Sequence, residues 1–201
     1  MELGFLQTIP GLDACMIIGL TGTQGVSSLP KLLYGENSPS GKLVDTYAYD
    51  STSAPSFTNM GNFSIANANK NIERANKYLV YGEGIYVGYK YYETRYEDKI
   101  MNTQNTGNYN YEEIVQFPFG YGLSYTSFEM NNFSANVKNN MIEVSVNVKN
   151  VGNKSGKYVT EFYYQSPYTE YDKEKGIEKA SVELVGFAKT DVLQTNGEET
   201  L

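Results

Sequence analysis

Four carboxylates in this chain lie near tyrosines: Asp45, Asp50, Glu83 and Glu93. Acids beside aromatic rings suit recognition of a polyhydroxylated ligand, because the acid accepts hydroxyl protons while the ring covers an apolar face. The same residues also fit a structural reading, since tyrosines at these spacings fill a core and acids cap or solvate its edge. The spacing favours the structural reading. The chain has no His and a single Cys, Cys15. This excludes Ser-His-Asp and Cys-His catalysis and histidine-rich metal sites, so any chemistry must run on carboxylates, tyrosines or lysines. Cys15 sits in the apolar run Ala14-Cys15-Met16-Ile17-Ile18 and reads as a buried structural thiol. One cysteine permits neither an intramolecular disulfide nor a thiolate zinc cluster. The alternating charges of Glu170–Lys175 read as a solvated loop.

The elements that must position these groups fall into two kinds. Leu3, Phe5, Leu6 and Ile9 suit a helix over Met1–Ile9, ended by Pro10-Gly11. Leu12–Leu20 is a nearly continuous apolar run, as a parallel strand buried on both faces requires. Thr21–Gly25 follows as a loop at its carboxyl end, where open α/β sheets bind ligands. Ser27 and Ser28 can cap a short helix carrying Leu29, Leu32 and Leu33, with Pro30 in its first turn. Asn37–Gly41 is a turn signal. From Asp50 to about Asn76 the chain is polar and reads as a long surface connection. Tyr78–Glu93 is dense in aromatics, and Asp98–Asn110 reads as a loop.

Beyond Phe128 the period changes to two. Ile142, Val144, Val146 and Val148 alternate with polar residues as in a half-buried strand. A second strand carries Tyr158, Phe162 and Tyr164, and a third carries Val182, Leu184, Val185 and Phe187. Ser166–Lys179 is a loop between them, and Thr195-Asn196-Gly197 is a turn. Short strands with such punctuation indicate an antiparallel sandwich.

Composition bounds the function. With 201 residues, 40% hydrophobic and 19% charged, the chain has the make-up of a globular protein of one large or two small domains. Its 16 basic residues are scattered among 23 acidic ones, for a net charge of −7, so no nucleic-acid partner is expected. No segment has the order of a signal peptide or the length of a membrane span, and the compartment stays unassigned. Three sequons, at Asn62, Asn132 and Asn153, carry little weight in a chain this rich in Asn and Ser.

Several motifs together resemble a known family. Phe117-Pro118-Phe119-Gly120-Tyr121-Gly122-Leu123-Ser124-Tyr125-Thr126-Ser127-Phe128 looks like the segment of family 3 glycoside hydrolases that leads from an α/β sandwich into a fibronectin type III-like domain. Tyr34-Gly35-Glu36-Asn37-Ser38-Pro39-Ser40-Gly41-Lys42-Leu43 is similar to the family's Asn-Pro-Ser-Gly-Lys/Arg-Leu turn, although Ser38 interrupts the Asn-Pro pair. Thr21–Gly25 lacks the glutamate of the family's loop at that place. Gly84-Ile85-Tyr86-Val87-Gly88-Tyr89-Lys90-Tyr91-Tyr92 and Glu183-Leu184-Val185-Gly186-Phe187 match further family stretches, in the family's order.

The resemblance implies an α/β then all-β fold: the C-terminal portion of an αβα sandwich over residues 1–127, joined to a truncated fibronectin type III-like (immunoglobulin-like) β-sandwich over residues 128–201. A full sandwich of about seven strands needs roughly 100 residues, so its last strands are expected to lie past Leu201. The family's aspartate nucleophile sits on an N-terminal barrel, and its acid/base glutamate lies in a Glu-Gly-x-Asp-Arg sequence. Glu83-Gly84 continues as Ile85-Tyr86-Val87 and is not that sequence. The expected assignment is therefore no catalytic, cofactor-binding or metal-binding residue in this chain. The expected cofactor is none. The implied partners are a β-linked glucoside or oligosaccharide and the barrel of the same parent chain. Two functions stay open: the C-terminal part of a β-glucosidase-like hydrolase, inactive alone, or an independent non-catalytic carbohydrate-binding or structural module.

Overall fold

The computed structural model describes residues 2–61, 63–65 and 77–201. Asn62, with its sequon, and residues 66–76 of the predicted polar connection lie outside the described residues. The chain forms two compact units from interleaved segments. The first takes Met1–Leu12, Val44–Phe119 and Tyr163–Glu183, and the second takes Asp13–Leu43, Gly120–Phe162 and Leu184–Leu201.

In the first unit, β1 (Tyr47–Ala48) pairs antiparallel with β4 (Val115–Phe117), with Ala48 opposite Val115. A smaller pair joins β2 (Phe63–Ser64) to β3 (Lys77–Tyr78). The longest helix, α3 (Tyr89–Met101), starts at Gly88, whose φ of 58° strains any side chain, and stops at Asn102 in the left-handed region. Tyr92 on α3 packs with Ala48 and Val115 to form the core, with Tyr91, Tyr111 and Ile114 around it. The loop after α3 is tied back to the helix, since Arg95 donates to the Asn105 and Thr106 carbonyls and Lys99 to that of Gly107. α4 (Tyr111–Ile114) leads directly into β4.

In the second unit, α1 (Gly22–Gly25) runs through a 3-10 turn into α2 (Leu29–Leu33). β5 (Phe128–Lys138), β6 (Met141–Asn150) and β9 (Glu198–Thr200) form an antiparallel sheet in the order β5-β6-β9, and β7 (Val159–Tyr164) pairs with β8 (Glu183–Lys189). The β5-β6 hairpin turns at Asn139-Asn140, both at positive φ, as a two-residue turn matching strand twist requires. Val146, Val148 and Leu193 make the core, with Phe128, Tyr158, Phe162 and Leu201 packed against it.

Asn150 is the polar centre of this unit and is completely buried. Its amide nitrogen donates to the Lys154 and Leu193 carbonyls, and its side-chain oxygen accepts from Thr126 Oγ1 and from the Gly152 amide. The Phe117–Phe128 run is equally constrained. Leu43 exchanges backbone hydrogen bonds with Gly120 and Tyr121, and a Cβ on Gly122 would meet the Gly41 carbonyl oxygen at 2.2 Å. The Tyr125 hydroxyl donates to the Leu32 carbonyl.

The strands predicted around Val146, Phe162 and Leu184 are present as β6, β7 and β8. Other expectations are corrected. Leu12–Leu20 forms no strand and is largely exposed, with Leu20 fully so. Among the described residues no strand pairs with the run. Cys15 is consequently exposed rather than buried. The N-terminal helix is a 3-10 turn over Gly4–Thr8. Thr21–Gly25 is not a loop, because Gly22–Gly25 is helical, and Ser28 makes no capping hydrogen bond. Glu170–Lys175 is helix α5, because Thr169 and Asp172 form a reciprocal capping box. Asp172 also accepts from Lys179 Nζ at 2.7 Å, and these bonds hold its carboxyl down to about 2. Among the described residues no helix is long and apolar enough to cross a membrane.

Replacing Asn150 with Ala strips partners from two carbonyls, a hydroxyl and an amide in the core of the second unit. It is expected to lower stability by about 2–4 kcal/mol, read as a fall in the urea midpoint.

Candidate functional site

The residues most apt for chemistry converge in the first unit. Glu83 and Tyr86 are brought together by a tight turn, with the Tyr86 amide donating to the Glu83 carbonyl and Gly84 at φ 59°. Two residues on, Gly88 turns the chain into α3. Its ideal Cβ position is 3.6 Å from Asp45 Oδ1, and its positive φ disfavours any larger residue. Asp45 is held in turn by the Thr46 amide, which donates to Oδ1 at 2.9 Å. Tyr92 follows one helical turn into α3. These elements enclose a cavity of about 260 Å³ lined by Asp45, Thr46, Glu83, Tyr86, Gly88 and Tyr92, among others.

Its polar groups are unevenly satisfied. The Tyr92 hydroxyl lies 3.1 Å from Ser53 Oγ. Burial pushes the Tyr92 phenol up, and burial with the nearby Glu178 carboxylate does the same for Tyr86, so both remain protonated donors at neutral pH. Glu83 Oε2 and Thr46 Oγ1 are buried without a partner among the described residues.

The other predicted acids stand elsewhere. Asp50 caps a 3-10 turn, its Oδ1 accepting from the Thr52 hydroxyl and amide, which holds the pKa of its carboxyl below the ordinary value. Glu93 accepts from the Tyr111 hydroxyl at 2.5 Å. Burial raises the Glu93 carboxyl and outweighs that bond, and burial first, then Glu93 itself, pushes the Tyr111 phenol up. Both residues serve as packing, in keeping with the structural reading. Asp45 and Glu83, by contrast, come together on one cavity. A shallower groove of about 410 Å³ is lined by Tyr96, Lys99, Tyr109 and Tyr111 with neighbouring polar residues.

Sequence reasoning missed Thr46, whose type and surroundings carry no local signal, and Gly88, whose position before Tyr89-Lys90-Tyr91-Tyr92 could have marked a helix start. Among the described residues no group of three or more His, Cys, Asp or Glu could hold a metal ion.

Helices and small sheets in one unit, with antiparallel strands in the other, place the chain among mixed α/β proteins. Comparison with known proteins narrows this. No family model matches the chain. A β-glucosidase of Ruminococcus albus is 34% identical over 201 residues, all of this chain and 17% of that protein. Thermostable β-glucosidase B of Acetivibrio thermocellus is 34% identical over 176 residues, 86% of this chain and 18% of the other. Among solved structures, a β-glucosidase from Paenibacillus barengoltzii aligns with a TM-score of 0.64 and 35% identity over 88% of this chain and 16% of that one. β-Glucosidase 3B from Thermotoga neapolitana, solved with α-D-glucose, aligns with a TM-score of 0.63 and 29% identity over 86% and 20%. Along its length the chain is thus homologous to part of the β-glucosidases of glycoside hydrolase family 3. It spans about a sixth of the length of the first of these curated relatives.

The raised Glu93 carboxyl fixes a sign for pH dependence. The folded state keeps a proton that the unfolded chain releases, so this contribution is full below the unfolded value and is lost as pH rises through the folded one. Glu93→Gln is expected to flatten the decline in urea midpoint as pH rises above the ordinary glutamate value, relative to the unsubstituted chain.

Proposed function

We propose that this chain is the C-terminal part of a β-glucosidase that hydrolyses O-glycosyl bonds by retaining double displacement, with both catalytic carboxyls outside these 201 residues. The observation that carries the reading is identity of 34% to a β-glucosidase across the whole chain. The ordered motifs from Tyr34–Leu43 to Glu183–Phe187 add to it.

On this reading residues 1–127 are the end of an αβα sandwich and residues 128–201 a fibronectin type III-like sandwich that lacks strands. The antiparallel order β5-β6-β9 and the separate β7-β8 pair support the second assignment. Val185 and Phe187 on β8, 66% and 74% exposed, fit an uncovered face that further strands would close. The partner is a barrel of the parent chain, and the substrate is a β-linked glucoside or oligosaccharide. On this reading none of the four candidate acids acts as nucleophile or acid/base: Asp50 and Glu93 are committed to capping and packing, Asp45 Oδ1 accepts from the Thr46 amide, and Glu83-Gly84 does not open a Glu-Gly-x-Asp-Arg sequence.

The test is hydrolysis of 4-nitrophenyl β-D-glucoside. The 201-residue chain is expected to give no turnover. A chimera in which it replaces the matching segment of the Thermotoga neapolitana enzyme is expected to be active. Turnover by the chain alone that disappears in Glu83→Gln would refute the placement of the catalytic groups.

A further inference from the structure

The cavity of the first unit contains an acceptor and a hydroxyl that the protein itself does not satisfy. Glu83 Oε2 is buried and unpartnered, although the residue as a whole is only half-buried. Thr46, 8% exposed, buries its Oγ1 in the same state. Both residues line the one cavity. Buried polar groups without partners are costly, and in native proteins they are met by water, an ion or a ligand.

The lining decides which chemistry fits. No Lys or Arg faces the cavity, and Asp45 and Glu83 both do, so anions are excluded. A calcium-like cation takes six to eight oxygens. Here Asp45 Oδ1 is occupied by the Thr46 amide, and the Ser51 hydroxyl and amide both donate to Glu2 Oε1. Ala48, Ala54, Pro55 and Val87 are apolar members of the lining, Ser56 adds a hydroxyl, and Tyr86 and Tyr92 add rings. A lining that mixes acids and hydroxyls with apolar residues and tyrosine rings matches a pyranose, whose hydroxyls donate and whose C–H face packs. At about 260 Å³ the space lies just below the range of drug-sized pockets, which suits a single sugar ring.

We propose that this cavity is a non-catalytic binding site for a neutral, polyhydroxylated ligand of monosaccharide size, with Glu83 accepting from ligand hydroxyls and Thr46 as the second polar anchor. Gly88 places no side chain beside Asp45, and the Glu83–Tyr86 turn brings both of those residues to the cavity lining. The site deepens the glycosidase reading by adding a sugar contact that performs no bond cleavage. Its test does not require the parent enzyme to be active.

The experiment is titration of the 201-residue chain with methyl β-D-glucopyranoside, followed by amide chemical shifts. Saturable shifts confined to the residues lining the cavity are expected. Glu83→Gln should weaken binding by about tenfold or more, Thr46→Val by a smaller but measurable factor, and Glu129→Gln on β5 should leave it unchanged. If Glu83→Gln does not fold by circular dichroism, Thr46→Val alone decides. Absence of saturable shifts up to the solubility of the sugar, leaving the cavity to water, would overturn the proposal. So would unchanged affinity in the variants that fold, or a melting temperature raised by calcium chloride but not by the glucoside. Loss of this proposal leaves the β-glucosidase reading intact, because the chimera decides that one.

Discussion

The ring of Tyr92 packs with Ala48 and Val115 at the centre of the first unit, where the residue is only 4% exposed. Its polar groups are provided for even so: the hydroxyl lies beside Ser53 Oγ, and the carbonyl accepts from the Tyr109 hydroxyl. A buried tyrosine with these bonds in place links α3, the β1-β4 pair, the 3-10 turn after Asp50 and the loop returning from α3. Because α3 is held in this way, Gly88 and the turn before it are held too, and with them the wall that carries Glu83 and Tyr86. The candidate site is therefore built on the packed part of its unit, which is what orienting a ligand requires.

The functional conclusion rests on a division of labour among acids. Carboxylates that accept two or more protein donors, such as Asp50 and Asp172, are structural, and their lowered pKa values reflect those bonds. Glu93 is raised by burial and paired with a phenol, a packing solution for an acid within an aromatic cluster. Glu83 differs in having a buried oxygen that no donor among the described residues reaches. In native proteins such a group is met by water, an ion or a ligand.

The strands of the second unit were legible because alternation survives in β6: Val146 and Val148 are buried, and the residues between them are less so. β5 was missed because few of its side chains are buried on either face, so it carries no period, and only the Asn139-Asn140 turn marks it. Leu12–Leu20 misled for the opposite reason. Apolar content predicts a buried strand only when neighbours exist to pair with it, and that is not a local property of the sequence. α5 was hidden because alternating charge masked a Thr169-x-x-Asp172 capping box, which in retrospect was readable. At the site, the tyrosines and acids were legible as a group. Their sorting into one cavity-lining pair and two packing residues depends on tertiary neighbours that no spacing encodes.

On the proposed function the carboxyls of this chain bind and brace but do not cleave. Covalent trapping distinguishes the two roles. The Thermotoga neapolitana chimera would be inactivated with a 2-deoxy-2-fluoro-β-glucosyl fluoride and its peptides mapped by mass spectrometry, since a retaining nucleophile keeps the sugar attached. The label is expected on a peptide outside the segment supplied by this chain. Label on Asp45, Glu83 or any other carboxylate of this chain would contradict it.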